Sequence, residues 1–405
     1  MYINTKIAGE IYYVGVNDRI KAKFENMLPL SYGVSYNSYL IADEKVALID
    51  TVEASYGDIF IQKIQSQLQG RSIDYLIINH MEPDHSGSIT LLRKYYPNVT
   101  IVGNKRTLEM VEGYYGIDDN TMEIKDGDQL SLGRHQLTFY LTPMVHWPET
   151  MMTYDETEKV LFSGDAFGCF GTLDGGVLDT EINLNKYWDE MYRYYANIVG
   201  KYGSPVQKAL QKLASLEIQY ICTTHGPVWH ENISKVVDIY DRLSRYEGCE
   251  GVVIVYASMY GNTEQMAEAV AQGLVRNGIK DVVMHNVAKS DASVILSDIF
   301  KYKGLVIGGP TYSNELHPDI HSLLTKIELR QIKNRDFGFF GSFSWAGVSG
   351  KKLAEFGENM KWCMVDDRVE EKMALKKDNY LKCLDLGKNL AELLRTPDTK
   401  DENSD

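Results

Sequence analysis

The sequence predicts an α/β chain in two parts: a strand-rich first part with most of its helices late, and a second part forming a doubly wound parallel sheet. Three observations carry that reading. The 405 residues exceed what one hydrophobic core usually supports. Near residues 248–251 the pattern changes from irregular strand-and-turn spacing to strict βαβα alternation. Four strands of the first part each run out into a residue able to bind a metal.

In the first part, 34–42 (VSYNSYLIA) and 45–51 (KVALIDT) alternate or run apolar like paired strands, and 57–70 (GDIFIQKIQSQLQG) has helical spacing. Further strands are expected over 73–80, 99–104, 135–143, 159–165 and 218–226, with helices over 185–203 and 204–216. In the second part, strands over 252–258, 281–287, 304–309 and 336–342 alternate with helices over 263–278, 292–302, 320–327 and 350–360. The Pro-broken, acidic stretch 397–405 is expected to be a disordered tail.

Composition narrows the function. Hydrophobic residues at 44% and charged residues at 24% are ordinary for a packed globular chain. A net charge of -14 and a pI near 5.2 set the average surface against nucleic acid and anionic lipid. The start has no basic-then-apolar export pattern, and no apolar run could cross a bilayer, so a soluble, cytoplasmic chain is expected. Cys169, Cys222, Cys249, Cys363 and Cys383 are scattered and form no CxxC, which suits reduced thiols and leaves no rubredoxin-type iron centre within these residues.

The metal reading starts at residues 80–85, HMEPDH, directly after an apolar run. His80, His146, Asp165 and His225 each follow one of the four strands, and Glu82, Asp84 and His85 share the first loop. Residues two apart on an extended chain point to one side, so His80, Glu82 and Asp84 are expected together, with His85 facing elsewhere. One loop then serves two ions, His80 and Glu82 on one and Asp84 and His85 on the other, with Asp165 as bridge. Three carboxylates and one hydroxide balance two divalent cations. Imidazole and oxygen donors without cysteine suit iron or manganese at least as well as zinc. His135, His230, His285, His317 and His321 stand in no such constellation and read as surface or hydrogen-bonded residues.

The second part carries three loops at strand ends. Ser258, Met259, Tyr260, Gly261, Asn262 and Thr263 form a hydroxyl-rich turn before a helix, able to hold a phosphate without lysine or arginine. The turn is neither a Walker loop nor GxGxxG. Pro310, Thr311, Tyr312, Ser313 and Asn314 follow a second strand; Ser342, Phe343, Ser344, Trp345, Ala346 and Gly347 follow a third. Ligands of open α/β sheets bind beyond the carboxyl ends of the strands, where Tyr312 and Trp345 are placed to flank a flat ring. The plainer alternative is that these aromatics pack and that Thr263 caps its helix.

These motifs carry a resemblance. HMEPDH with His146, Asp165 and His225 resembles the metallo-β-lactamase pattern HxHxDH, with Glu82 in place of the second histidine, and residues 250–395 are similar to flavodoxin, whose ligand is FMN. Together they resemble the flavodiiron proteins. That implies a metallo-β-lactamase-like αββα sandwich over 1–249, with two irons on all seven residues, and a flavodoxin-like FMN domain over 250–396. It implies reduction of O2 to water, of NO to N2O, or of both, with FMN fed by rubredoxin or reduced F420. It further implies a head-to-tail homodimer or a tetramer of paired dimers, and Tyr195 and Trp147 lining the diiron pocket. Tyr192 and Tyr195, three apart on an expected helix, read better as core aromatics. Two other classes compete: a dinuclear hydrolase fused to a flavodoxin module, which Glu82 argues against, and a flavin electron carrier, which the full donor set argues against. Lysines in 350–352 and 375–377 are candidates for a basic patch receiving an acidic donor.

Overall fold

Short apolar runs punctuated by turn residues build two sheets from the first part of the chain. The computed structural model describes residues 2–396 and divides into two units after Ser244. In the first unit, a seven-stranded sheet runs in the order Thr5–Ala8, Ile11–Tyr13, Tyr39–Ala42, Val46–Ile49, Tyr75–Ile77, Thr100–Gly103 and Thr121–Glu123. Its pairing is antiparallel as far as Val46–Ile49 and parallel beyond. A five-stranded sheet follows: Gln129–Ser131, Gln136–Leu141, Met151–Asp155, Val160–Gly164 and Tyr220–Thr223, with only the last pair parallel.

Buried side chains of both sheets, Ile41 and Ile77 with Phe139, Val160 and Cys222 among them, share one core. Leu48, Leu76 and Ile101 point the other way, onto Phe60, Ile64 and Leu68 of the helix Gly57–Leu68. On the second sheet Leu161 and Ile221 share a small cavity with Leu210, Leu213 and Val237 of the helices Gly203–Leu213 and Ile233–Ser244. Helices thus cover both outer faces, in the expected αββα order. Each such side chain, fully buried, contributes about 1.5–3 kcal/mol.

The stretch 185–203 departs from the single helix expected of it. It is α-helical over Asn185–Tyr194, widens into a π turn over Tyr195–Val199 and ends at Gly200, whose φ is 26°. Tyr194, the last α-helical residue, and Tyr195, the first of the π turn, have different surroundings, as described below.

The second unit is a parallel sheet in the order Val282–Asn286, Cys249–Tyr256, Tyr302–Tyr312, Asp336–Phe343 and Cys363–Met364, with Val369–Lys372 pairing further along Asp336–Phe343. This last, interrupted strand escaped the sequence reading because its pieces are short and one of them, VEEK, is mostly charged. The helices Lys377–Arg395 and Asn262–Arg276 approach so closely that a Cβ on Gly387 would lie 2.3 Å from the Val270 carbonyl oxygen, which requires glycine there. The unit begins a few residues before the expected 250. Arg335 and Asn334 hold the linker by donating to the carbonyls of Tyr246 and Arg245. The expected tail, 397–405, lies outside the described residues, and among those described no helix is long and apolar enough to cross a membrane.

Candidate functional site

The strand Tyr75–Ile77 leads into HMEPDH under firm backbone control: an Asp50 carboxylate oxygen accepts from the backbone N–H of Asn79 (2.8 Å) and of His80 (3.4 Å). Glu82 is still extended, but Pro83 opens a short helical turn, Pro83–Ser86, because its fixed φ suits a first helical position. The expectation of an extended chain through Asp84 is therefore corrected. His80 and Glu82 leave from extended backbone, Asp84 and His85 from the turn, and this change of geometry splits the loop between two positions.

Asp165, buried at the end of Val160–Gly164, sorts the donors. Its Oδ2 lies 2.9 Å from Nε2 of His146 and 3.7 Å from Nε2 of His80, and Glu82 Oε2 lies 3.2 and 3.5 Å from the same two nitrogens. Its Oδ1 lies 3.2 Å from Nε2 of His85 and 3.6 Å from Nε2 of His225; Asp84 lies 3.4 and 3.2 Å from these. Each side of Asp165 thus faces two imidazoles and one further carboxylate. All seven candidate metal residues converge.

The donor set fits metal. His80, His85 and His225 leave a buried Nε2, and Asp84 both carboxylate oxygens, without a hydrogen-bond partner among the described residues. Buried polar atoms are seldom left so, and metal ions complete such sets. Without metal, the site is a network of ions. Burial alone would lower the His146 pKa, but hydrogen bonds to Asp165 and Glu82 outweigh it and raise it to about 10. Burial opposes, and carboxylate partners likewise outweigh, in His80, His85 and His225, which are also raised. Against the same burial, the imidazoles hold Glu82 and Asp165 low.

Metal must displace the imidazole protons. A histidine whose folded pKa exceeds its unfolded value near ~6.5 stabilises the fold fully below that pH and loses this contribution as pH rises through the folded pKa. The metal-free protein is therefore expected to lose thermal stability between pH 7 and 10, while the metal-loaded protein does not. Thermal unfolding with and without chelator at the two pH values checks this.

In the second unit the three loops lie at the carboxyl edge of the sheet. Ser258 Oγ accepts from the backbone N–H of Gly261 (3.0 Å), Gly261 has φ 90°, and the helix Asn262–Arg276 starts directly after it. Gly261, rather than Thr263, is the capping residue. Thr263 is buried instead, its hydroxyl 2.8 Å from that of Ser342 in the third loop. Thr311 Oγ1 accepts from the N–H groups of Val348 and Ser349 and ties the second loop to the third. Ser313 and Asn314 turn the hairpin between Thr311 and Leu316 with left-handed φ. Ser344, Ala346 and Gly347 are exposed, as are Tyr312 and, most of all, Tyr260 (91%) and Trp345 (85%). Aromatic faces this bare beside a helix N-terminus and small hydroxyl residues fit a flat, phosphorylated ring system.

The comparisons with known proteins cover both parts of the chain. The family model described as ODP family beta lactamase matches residues 34–226, and the flavodoxin model matches 254–386. An anaerobic nitric oxide reductase flavorubredoxin of Vibrio vulnificus (strain YJ016) is 35% identical over 348 residues, which is 84% of this chain and 70% of that protein. The rubredoxin oxygen:oxidoreductase of Desulfovibrio gigas has a similar structure, with a TM-score of 0.91 and 31% identity over 97% of this chain and 98% of that one. The chain belongs to the flavodiiron protein family. The flavodiiron protein of Giardia intestinalis, with a TM-score of 0.92 and 26% identity over 97% of each chain, extends the likeness. FMN and a pair of irons are accordingly the cofactors of the two parts.

Several residues of this flavodiiron site were not legible in the sequence. Glu149, buried, accepts from His80 Nδ1 (2.6 Å) and from the backbone N–H of Met81 (3.0 Å); nothing in HWPET marks it. The His225 ring donates through Nδ1 to the Ser35 carbonyl (2.7 Å), and Thr224 donates to Asp165. The tyrosine beside the site is Tyr194, not Tyr195. Its ring centre is 5.7 Å from that of His225, and its buried hydroxyl has no partner among the described residues. Burial, then the Asp165 carboxylate, raises its pKa well above the usual value, so it keeps its proton. Tyr195 packs edge-on against Tyr240 at 5.0 Å as a core aromatic. Trp147 does line the donors, 5.0 Å from His80.

The remaining histidines act structurally. His285 sits between Ser290 and Asp298, His230 bonds the Gln219 carbonyl, His317 caps the helix Pro318–Leu329, and His321 is exposed. His135 differs from the expectation of standing alone: it is buried between Asp155 (2.8 Å) and Glu10 (3.3 Å), with Glu158 close by. Arg134 already joins Glu10 to Glu158, so a guanidinium holds the cation position there.

Proposed function

We propose that the protein reduces O2 to water, NO to N2O, or both, at a diiron centre in residues 1–249, with electrons relayed by FMN in residues 250–396. The observation that carries this reading is the division of six buried donor residues between the two oxygens of the seventh, Asp165. His80, Glu82, His146 and Asp165 would hold one iron, and Asp84, His85, His225 and Asp165 the other. When bound, the irons supply electrons to a small diatomic substrate and FMN restores them. The protein supplies the rest. Glu149 and the Ser35 carbonyl fix the ring orientations of His80 and His225. Phe24, edge-on to His225 at 5.5 Å, and Trp147 exclude water from the donors. Tyr194 keeps a hydroxyl proton available as a hydrogen-bond donor. Three carboxylates keep the charge of the site close to neutral, which distinguishes it from the hydrolase pattern in which Glu82 would be histidine.

The turn Ser258–Thr263 and the following helix N-terminus would hold the FMN phosphate, with Tyr260, Tyr312 and Trp345 available to the ring. Replacing Thr263 by valine removes one buried hydroxyl contact and is expected to weaken FMN binding about tenfold, the order of one hydrogen bond to a charged group. Quenching of flavin fluorescence on titration measures it.

The names of the two relatives, one a nitric oxide reductase and one a rubredoxin oxygen:oxidoreductase, support a rubredoxin-type donor. In the candidate basic patch, three of the four lysines face carboxylates. Lys352 pairs with Glu315, Lys376 with Glu371, and Lys351 lies 3.7 Å from Glu355. A reduced F420 donor and a head-to-tail dimer or tetramer belong to the same reading. Anaerobic mixing of the reduced protein with O2 or NO tests it: repeated reoxidation of the flavin while a reduced rubredoxin is supplied is expected. Zinc in the site with no flavin reoxidation would favour the hydrolase instead.

A further inference from the structure

The turn Pro83–Ser86, which carries Asp84 and His85, is closed by a pair of hydroxyls. Ser86 Oγ lies 2.9 Å from the Met81 carbonyl and 2.8 Å from the Tyr115 hydroxyl. A carbonyl only accepts, so the single Ser86 hydroxyl proton goes to Met81, and Tyr115 must donate to Ser86. Tyr115 is the last residue of the helix Lys105–Tyr115, which Gly116 ends with a left-handed φ of 65°. Its half-buried ring packs against the core that holds Phe60 and Ile64, and this packing aims the hydroxyl.

The opposite end of the helix reaches the other half of the site. Asn104, the capping residue, accepts from the N–H groups of Arg106 and Thr107 and donates to the carbonyl of Glu149, whose side chain accepts from His80. One helix of 11 residues, about 16 Å long, therefore touches the supports of both candidate metal positions. Those supports differ. His80 is held at its ring by Glu149 and at its N–H by Asp50. On the other side Thr51 donates to the His85 carbonyl through its N–H (2.8 Å) and Oγ1 (2.9 Å), while the Asp84 oxygens have no hydrogen-bond partner among the described residues. Beyond these two ligands the turn is fastened at Ser86.

We propose that Tyr115 is a positioning residue of the diiron centre, ordering through Ser86 the turn that presents Asp84 and His85. The proposal rests on the reductase reading above and deepens it. Without the Tyr115 hydroxyl, Ser86 keeps its bond to Met81 but loses its tie to the helix. The turn then gains freedom that metal binding at Asp84 and His85 has to remove, which weakens that position. His80, supported from Glu149 and Asp50, keeps its orientation.

The test uses the full chain loaded with iron and FMN, oxidised and titrated with a chelator. Released iron is read by absorbance and retained iron by electron paramagnetic resonance, in which a coupled ferric pair is silent and a lone ferric ion is not. In Tyr115→Phe one of the two irons is expected to leave at about tenfold lower chelator concentration. A lone-ferric signal then appears at half loss, and the second iron leaves as in the parent. Ser86→Ala is expected to lose at least as much, and adding Tyr115→Phe to it should cost nothing more, because the two hydroxyls act as one unit. Flavin content serves as the folding control. Equal chelator resistance in parent and Tyr115→Phe overturns the proposal, as does loss of both irons together or an additive loss in the double variant. If Ser86→Ala takes up no iron, Tyr115→Phe decides alone. Protein that loads two irons yet turns over neither O2 nor NO defeats the reductase reading, while the chelator titrations still decide the role of Tyr115.

Discussion

Asp165→Asn is expected to leave the purified protein with fewer than one iron per chain and at least a ~100-fold loss of turnover. Removing a group that merely orients a ligand commonly costs 10–100-fold, and Asp165 is a donor to both positions. Its two oxygens face different histidine pairs, Oδ2 toward His146 and His80, Oδ1 toward His85 and His225. Asparagine keeps the shape but offers one ligand oxygen; its amide nitrogen is a donor that repels a cation. It also removes one of the three negative charges that balance the pair of ions. Because the replacement is close to isosteric and the FMN loops belong to the other unit, flavin content and circular dichroism should match the parent. Elemental analysis alongside flavin absorbance makes the comparison. Retention of two irons per chain would show that Asp165 is not a bridge.

Glu149→Gln should weaken iron binding by about 10–100-fold without touching any ligand. The carboxylate is buried, accepts the His80 Nδ1 proton and so directs Nε2 at the metal position. The Met81 N–H shares the same oxygen, and Asn104 donates to the Glu149 carbonyl, so the side chain is held from both ends. Glutamine preserves length but can present its amide N–H to the imidazole, favouring the wrong tautomer. The loss should appear in competition with a chelator, and Glu149→Ala should lose at least as much. Equal chelator resistance in parent and Glu149→Gln would mean that the His80 orientation is set by backbone alone.

What the sequence made legible follows from the physics of each feature. Ligands at the ends of apolar strands could be read because a strand announces itself by composition and an ionisable residue at its end is conspicuous; His80, His146, Asp165 and His225 were found in this way. The turn at Pro83 was misread as extended, although proline at a first helical position was a usable signal. Glu149 and the Ser35 carbonyl were invisible, since their importance lies in contacts across the fold with His80 and His225. Tyr195 is the core aromatic that the sequence suggests, while nothing in YRYYANI marks Tyr194, the last residue of the α-helix, as the tyrosine beside His225. In the second unit, regular βαβ spacing gave four strands, whereas the broken fifth carried too little apolar pattern to register.

Anomalous diffraction at the iron edge from crystals of the protein as purified tests the central claim most directly. Two peaks are expected, roughly 3.5–4 Å apart as in other two-metal sites, one among His80, Glu82 and His146 and the other among Asp84, His85 and His225, with Asp165 between them. A single peak, or none within this cluster in protein that nonetheless reduces O2 or NO, would contradict the account.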